Sequence, residues 1–167
     1  LSIITACLSS LNARQGESND KISLSFIVPT NKMIDSLAAD ITKQIGKKQY
    51  GHQWPVTKIV FYKTNGQVYI DVTAIDNSWF RLFSPNEEPY GHFVVNNRLF
   101  IVSVKNGEPL NLSNFFRKTT KARQFDKPDA MITLYKEMPV WSYRYSGYKG
   151  LELIGTKHLD RLNQVPE

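Results

Sequence analysis

The sequence predicts an α+β domain in which one N-terminal helix packs on a curved, mainly antiparallel sheet built from β-hairpins. Alternating apolar segments flank the dipeptide Asn65-Gly66, and a second pair of such segments flanks Asn96-Asn97. Both dipeptides tolerate the left-handed backbone angles of a tight turn, so each pair of segments predicts a hairpin. An amphipathic stretch before them predicts the helix.

The predicted helix begins after Asn31, whose side chain can cap its N-terminus, and it ends at Gly46. Its apolar residues recur at spacings of three and four and therefore share one face, with polar residues on the other. The apolar residues are Met33, Ile34, Leu37, Ala38, Ile41 and Ile45. We expect this helix to lie across the sheet with one buried side.

Further strands are predicted on both sides of the hairpins. Residues 21–28 alternate and stop at Pro29, and three closing strands are expected at 130–135, 141–145 and 151–154. The hairpin strands carry apolar residues on both faces. A sheet that is covered on both sides, or one that curls strongly, accounts for this pattern.

Length and composition favour one domain, which we place at residues 21–167. The chain has 167 residues, 41% of them hydrophobic, which suits a single core. The single cysteine allows no intrachain disulfide, and the absence of a Cys/His cluster predicts neither a metal site nor a cofactor. The net charge of +6 favours anionic partners without requiring one.

Residues 1–20 are interpreted as a clipped export signal followed by a polar tether. Within them, Ile4-Thr5-Ala6-Cys7 resembles the lipobox of bacterial lipoproteins, which implies that Cys7 is lipidated and that the protein belongs to the bacterial cell envelope. Ordinary signal cleavage near Ala13 would instead give a periplasmic protein. In a third interpretation, residues 1–11 form part of the native fold and Cys7 is a small core residue.

Catalytic signatures are absent from the sequence. His52, His92 and His158 are far apart and belong to no recognised catalytic motif. Asp71 stands out because it interrupts an apolar strand, where an acid is disfavoured. It is either a carboxylate paired to a cation on a solvated face, or part of a ligand-binding or hydrolytic pocket with His52 and His92, between the helix and the curved sheet.

Two features suggest a binding surface. Trp141, Tyr143 and Tyr145 alternate, so on a strand they share one face. If that face is exposed, it offers a platform for a sugar ring or a protein; if it is buried, the three residues are core.

The second feature is the basic stretch that contains Arg117, Lys118, Lys121 and Arg123 and lies close to several Phe residues. It suits an anion such as nucleic acid, an acidic glycan or a lipid headgroup, or it is a solvated loop that the Phe residues anchor to the core. Export would disfavour nucleic acid as a partner.

Together these features suggest a small exported bacterial protein that acts as a non-catalytic binding module. Its partner would be another protein or a glycan or lipid surface of the envelope, as for inhibitor or immunity-type proteins and envelope assembly factors. The alternative is a small-ligand-binding or hydrolytic domain.

Overall fold

The structure, a computed structural model, describes residues 21–47, 56–75, 86–126, 138–147 and 149–159, and it confirms the α+β class. These residues form a helix and an eight-stranded, mainly antiparallel sheet. In chain order the elements are β1 (Lys21–Pro29), α1 (Lys32–Lys47), β2 (Val56–Thr64), β3 (Gln67–Ile75), β4 (Glu87–Val95), β5 (Arg98–Lys105), a 3₁₀ turn (Leu112–Asn114), β6 (Phe116–Asp126), β7 (Met138–Ser146) and β8 (Gly150–Leu159). The predictions for residues 1–20, with Cys7, for His52 and for the strand at 130–135 lie outside the described residues.

The strands follow the order β6-β1-β4-β5-β2-β3-β7-β8 across the sheet. Strand β1 runs parallel to β4, and β2 runs parallel to β5, whereas all other neighbours among the described strands are antiparallel. The strands that join across short turns are β2 with β3, β4 with β5, and β7 with β8. Long connections must therefore insert β1 between strands that come much later in the chain.

The two tight turns adopt the left-handed backbone that their sequences permit. Asn65 and Gly66 have φ angles of 52° and 75°, and Asn96 and Asn97 have φ angles of 50° and 61°. Two consecutive positive φ angles match the right-handed twist of the flanking strands, so the strands pair without a splay. Around the first turn, pairing extends from Thr64 opposite Gln67 to the far ends of β2 and β3.

Helix α1 covers one face of the sheet, which we call the helix face. The Asn31 side chain caps the helix by accepting a hydrogen bond from the Met33 N–H group at 3.0 Å. The Tyr143 hydroxyl on β7 donates to Asp40 Oδ2 of α1 at 3.1 Å and so links helix and sheet. The buried helix residues are Ile34, Leu37, Ala38, Ile41 and Ile45.

The sheet side of this core is almost entirely apolar. Phe61 is fully buried, and its ring contacts those of Phe115 and Phe116, which follow the 3₁₀ turn. Strand registers place the other large core residues on the same face as Phe61. They include Ile59, Ile70, Val72, Phe100, Val102, Trp141 and Tyr143.

Gly91 lets β1 approach β4 closely. A Cβ atom at this position would lie 2.8 Å from the Ser25 carbonyl oxygen and 2.5 Å from Cγ2 of Ile27, both of which are closer than atoms can approach. Glycine is the residue that leaves this space empty. The parallel β1–β4 contact, with Phe26 opposite His92, therefore depends on it.

The basic stretch forms strand β6 rather than a loop. Phe116 is buried at its start, and the strand then pairs antiparallel with β1. Between the pairs Ser25–Ala122 and Ile27–Lys118, β6 contains two more residues than β1, so it bulges. The charged residues of β6 have a low strand propensity. The burial of Phe116 and the pairing with β1 outweigh it.

Candidate functional site

The face of the sheet opposite the helix face has two parts with different burial. The polar residues Lys58, His92 and Ser103, on β2, β4 and β5, are buried, whereas across the ends of β2, β3 and β7 the polar residues are half-exposed or exposed. The pairs Tyr62–Tyr69 and Asp71–Ser142 in the strand registers define this second part. The first part can contribute mainly to stability, and the second can meet a partner.

A buried ion pair occupies the first part. Lys58 Nζ lies 2.6 Å from Glu87 Oε2, and the two side chains are only 7% and 9% exposed. The Ser103 hydroxyl donates a second hydrogen bond to Glu87 Oε2 at 3.1 Å. Burial lowers the pKa of Lys58, and the charge of Glu87 opposes that change. This pair is therefore costly to break, because either charge alone would stay in a poorly solvated place.

His92 lies on the same buried part. It is 5% exposed, and its ring meets those of Phe26 and Phe125 edge-on, with centroids 5.6 and 5.3 Å apart. Burial, and then the charge of Arg123, lower the pKa of His92, and nearby backbone carbonyls of β1 offset this only in part. The imidazole is therefore held in its neutral form among aromatic rings.

The half-exposed part forms what we call the tyrosine surface, which consists of Tyr62, Tyr69, Asp71, Ser142 and Arg144. The rings of Tyr62 and Tyr69 stack across β2 and β3, with centroids 5.4 Å apart and planes 18° apart. The Ser142 hydroxyl donates to Asp71 Oδ1 at 2.7 Å across β3 and β7. Burial, followed by the charge of Asp71, raises the pKa of Tyr62, so its hydroxyl stays protonated.

Cations lie at both ends of the tyrosine surface. On β5, Lys105 Nζ is 5.7 Å from the centre of the Tyr62 ring, a cation–π contact. At the other end, Arg144 Nη2 lies 2.6 Å from Glu152 Oε2 of β8. The Arg144 and Glu152 side chains are 47% and 57% exposed, so this pair adds little stability. Its charged groups remain accessible to a partner.

This combination of groups suits binding. Tyrosine gives a large rigid contact area with a polar tip, and tyrosine and arginine are enriched in the energetically important centres of interfaces. Asp71 adds a fixed acceptor, and Arg144 adds several donors. The tyrosine surface therefore offers flat apolar area, a hydrogen-bond acceptor and hydrogen-bond donors across three adjacent strands.

The aromatic row of β7 points to the helix face. Trp141 and Tyr143 are 2% and 4% exposed, and Tyr145 is half-buried with its ring 5.0 Å from that of Phe115. These residues belong to the core, so they do not form an exposed platform. The packing requirement of large aromatic rings explains this placement. The alternate residues of the same strand, Ser142 and Arg144, face outward instead.

The predicted basic residues are all accessible. Arg117, Lys118, Lys121 and Arg123 lie exposed on β6, the last strand at one end of the sheet. They are remote from the tyrosine surface, since β1, β4 and β5 lie between β6 and β2, the nearest strand of that surface.

Two of the residues considered for the alternative ligand-binding or hydrolytic pocket lie far apart. Asp71 on β3 and His92 on β4 are separated by β5 and β2, which corresponds to about 14 Å at ordinary strand spacing. His52 lies outside the described residues. Within the described ranges, no three His, Cys, Asp or Glu side chains group as metal ligands would.

Sequence reasoning identified Asp71 but missed the four residues around it. The Asn65-Gly66 turn sets the β2–β3 register, which places Tyr62 opposite Tyr69; that pair was readable from the turn alone. The neighbour on the other side of β3 is β7, about 70 residues later, and no local signal predicts this pairing.

Comparison with known proteins gave no relative. No protein-family model matches the chain, and neither the curated proteins nor the solved structures contain a significant match to it. Separately, none of the helices in the described part of the chain has the length and apolar character needed to cross a membrane.

Proposed function

We propose that this chain is a non-catalytic binding module of the bacterial cell envelope that recognises a protein partner through the tyrosine surface. The observation that carries the proposal is the stacked pair Tyr62 and Tyr69 beside Asp71 and Arg144, all half-exposed or exposed on one face of the sheet. Side chains of this kind are enriched where proteins bind each other.

The geometry of the surface supports a role in recognition. The Asp71 carboxylate is held in place by the Ser142 hydroxyl, and the two tyrosine rings restrain each other. Because these groups are already ordered, their side chains would lose little conformational entropy when a partner binds. The strands beneath them are central in the sheet and paired on both sides, so the surface is rigid.

Site-specific photo-crosslinking in a bacterial host tests this proposal. A photoreactive phenylalanine analogue is placed at Tyr69 and, separately, at Ala39, which is exposed on α1 far from the tyrosine surface. We expect one discrete crosslinked species from position 69 and none from position 39. The partner is then identified by mass and purified for titration.

The titration compares the parent chain with two variants. Tyr69→Ala/Arg144→Ala should weaken binding by roughly 100-fold, since truncating central tyrosine and arginine residues in interfaces commonly costs 2 kcal/mol or more. The matched control Ser36→Ala/Lys43→Ala, on the exposed side of α1, should bind like the parent. Equal crosslinking from both positions, or unchanged affinity in the first variant, would refute the assignment of this surface.

The envelope location rests on the lipobox-like Ile4-Thr5-Ala6-Cys7. Lipidation would attach acyl chains whose burial contributes about 0.8 kcal/mol per methylene group, enough with several chains for stable anchoring. We expect the full gene product to fractionate with membranes and to begin at Cys7 with added acyl mass. Cys7→Ser should abolish both properties. An unprocessed, soluble parent protein would contradict the envelope assignment but not the binding surface.

A further inference from the structure

Within the described part of the chain, the outer side of β6 is an open strand edge. Among the described strands, β6 stands last in the sheet and pairs only with β1. Its outward N–H and C=O groups can therefore pair with an added strand. Four cations accompany this edge: Arg117, Lys118, Lys121 and Arg123. They extend over about 20 Å at the usual rise per strand residue.

The cations lie on both sides of the edge. Lys118 Nζ is 4.3 Å from the centre of the Tyr90 ring, which packs near Phe116 on the helix face. The Arg123 guanidinium lies 5.3 Å from the Phe125 ring, whose other contact is His92 on the opposite face. A strand added to this edge would therefore meet positive charge above and below its own plane.

This positive charge is not neutralised within the described part of the chain. The ion pairs there join Lys58 to Glu87 and Arg144 to Glu152, and no described carboxylate pairs with Arg117, Lys118, Lys121 or Arg123. Among the described residues, Lys118 and Arg123 instead lie against the rings of Tyr90 and Phe125. The edge therefore attracts negative charge.

We propose that the β6 edge accepts an extended acidic segment of another protein as an additional β-strand. A second copy of β6 is disfavoured, because like charges would face each other across the new strand pair. An acidic strand instead gains backbone hydrogen bonds together with ion pairs on both faces. This inference goes beyond the tyrosine surface, which lies on other strands.

The bulge in β6 sets where the added strand pairs. The Thr119 hydroxyl donates to the Phe26 carbonyl at 2.9 Å and accepts from the Lys121 N–H group at 3.2 Å. The Thr119 hydroxyl and the Lys121 N–H group of the bulge are therefore already hydrogen-bonded within the protein. Regular pairing is available along residues 122–126, and Arg117 and Lys118 act on the continuing segment through charge.

A labelled nine-residue peptide, Glu-Glu-Val repeated three times, tests the proposal with the full chain. It carries carboxylates on both faces when extended, and its binding is followed by fluorescence anisotropy. We expect saturable binding that weakens with salt. Arg117→Glu/Arg123→Glu should weaken it by roughly tenfold or more, because each substitution replaces attraction by repulsion. Lys32→Glu/Lys43→Glu on α1, which changes the net charge equally, should bind like the parent.

Two N-methylated peptides separate strand addition from simple charge attraction. A strand added to an edge directs alternate N–H groups toward it, so methylation of one alternate set should abolish binding while the other set is tolerated. Inorganic polyphosphate serves as a competitor without a peptide backbone. No peptide binding, equal tolerance of both methylated peptides, or equal loss in the α1 control would overturn the proposal. The tyrosine-surface variants leave this test unaffected, so the two proposals fail independently.

Discussion

The two faces of the sheet are stabilised in different ways. The helix face buries apolar volume, with Phe61 and Trp141 inside and a single described hydrogen bond, from Tyr143, to the helix. The opposite face buries a charged pair, Lys58 and Glu87, and leaves the tyrosine surface partly open. The difference indicates that apolar burial on the helix face supplies most of the stability. The opposite face contributes less, because it holds polar groups in fixed positions.

The largest expected effect is on the helix face. Phe61→Ala should lower the free energy of unfolding by about 3–5 kcal/mol, because it removes a fully buried ring and leaves a cavity beside Phe115 and Phe116. Urea denaturation followed by circular dichroism measures this. Val60→Ala, one residue earlier and on the opposite face, should cost less than half as much; equal losses would erase the contrast between the faces.

The next effect concerns the buried ion pair. Glu87→Leu should cost about 3 kcal/mol, since it removes the carboxylate that offsets the burial of the Lys58 ammonium group. Lys58→Met/Glu87→Leu should recover most of that loss, because the buried cation is then removed together with its carboxylate. Urea denaturation of Glu87→Leu, Lys58→Met and the double variant completes a double-mutant cycle. A double variant no more stable than Glu87→Leu would contradict the expected recovery.

A smaller effect is expected for the link between helix and sheet. Tyr143→Phe keeps the buried ring but removes the hydrogen bond to Asp40, and should cost about 1 kcal/mol. Asp40→Ala should cost a similar amount, and the double variant should show no further loss. Additive losses in thermal or urea unfolding would mean that the two side chains act independently.

The smallest effect is the pH dependence that His92 contributes. Its pKa is lowered in the folded state, so as the pH falls below about 6.5 the unfolded chain binds a proton that the folded chain does not. Stability should therefore decrease from pH 7.5 to pH 5.5. His92→Phe fits between Phe26 and Phe125 and should reduce that decrease. An unchanged pH profile in this variant would assign the effect to other groups.

The sequence predicted the elements better than their neighbours. The periodicity of α1 and the dipeptides Asn65-Gly66 and Asn96-Asn97 are local signals, and the positive φ angles appear at those residues. The pairing of β1 with β4 and β6 depends on contacts between residues far apart in the chain. The local feature that reflects this pairing is Gly91, which leaves room for β1. Periodicity does not encode such pairings.

The candidate site shows the same limit. The alternation in β7 separated Trp141, Tyr143 and Tyr145 from Ser142 and Arg144, but alternation alone does not say which set faces the core. The outward set forms the site because α1 covers the other face, and only tertiary packing decides that. The strand character of 116–126 was hidden for a related reason, since charges on an edge strand imitate a solvated loop.

The position of β1 between β4 and β6 has a consequence for folding. Phe26 pairs with His92, and Leu24 pairs with Arg123, so β1 finds its neighbours only when more than half of the 167 residues are available. The β2–β3 and β4–β5 hairpins close short loops and can form within microseconds, whereas insertion of β1 must close loops many times longer. We therefore expect the insertion of β1, the first of the described strands, to be the slow step of folding and to follow the pairing of the central strands.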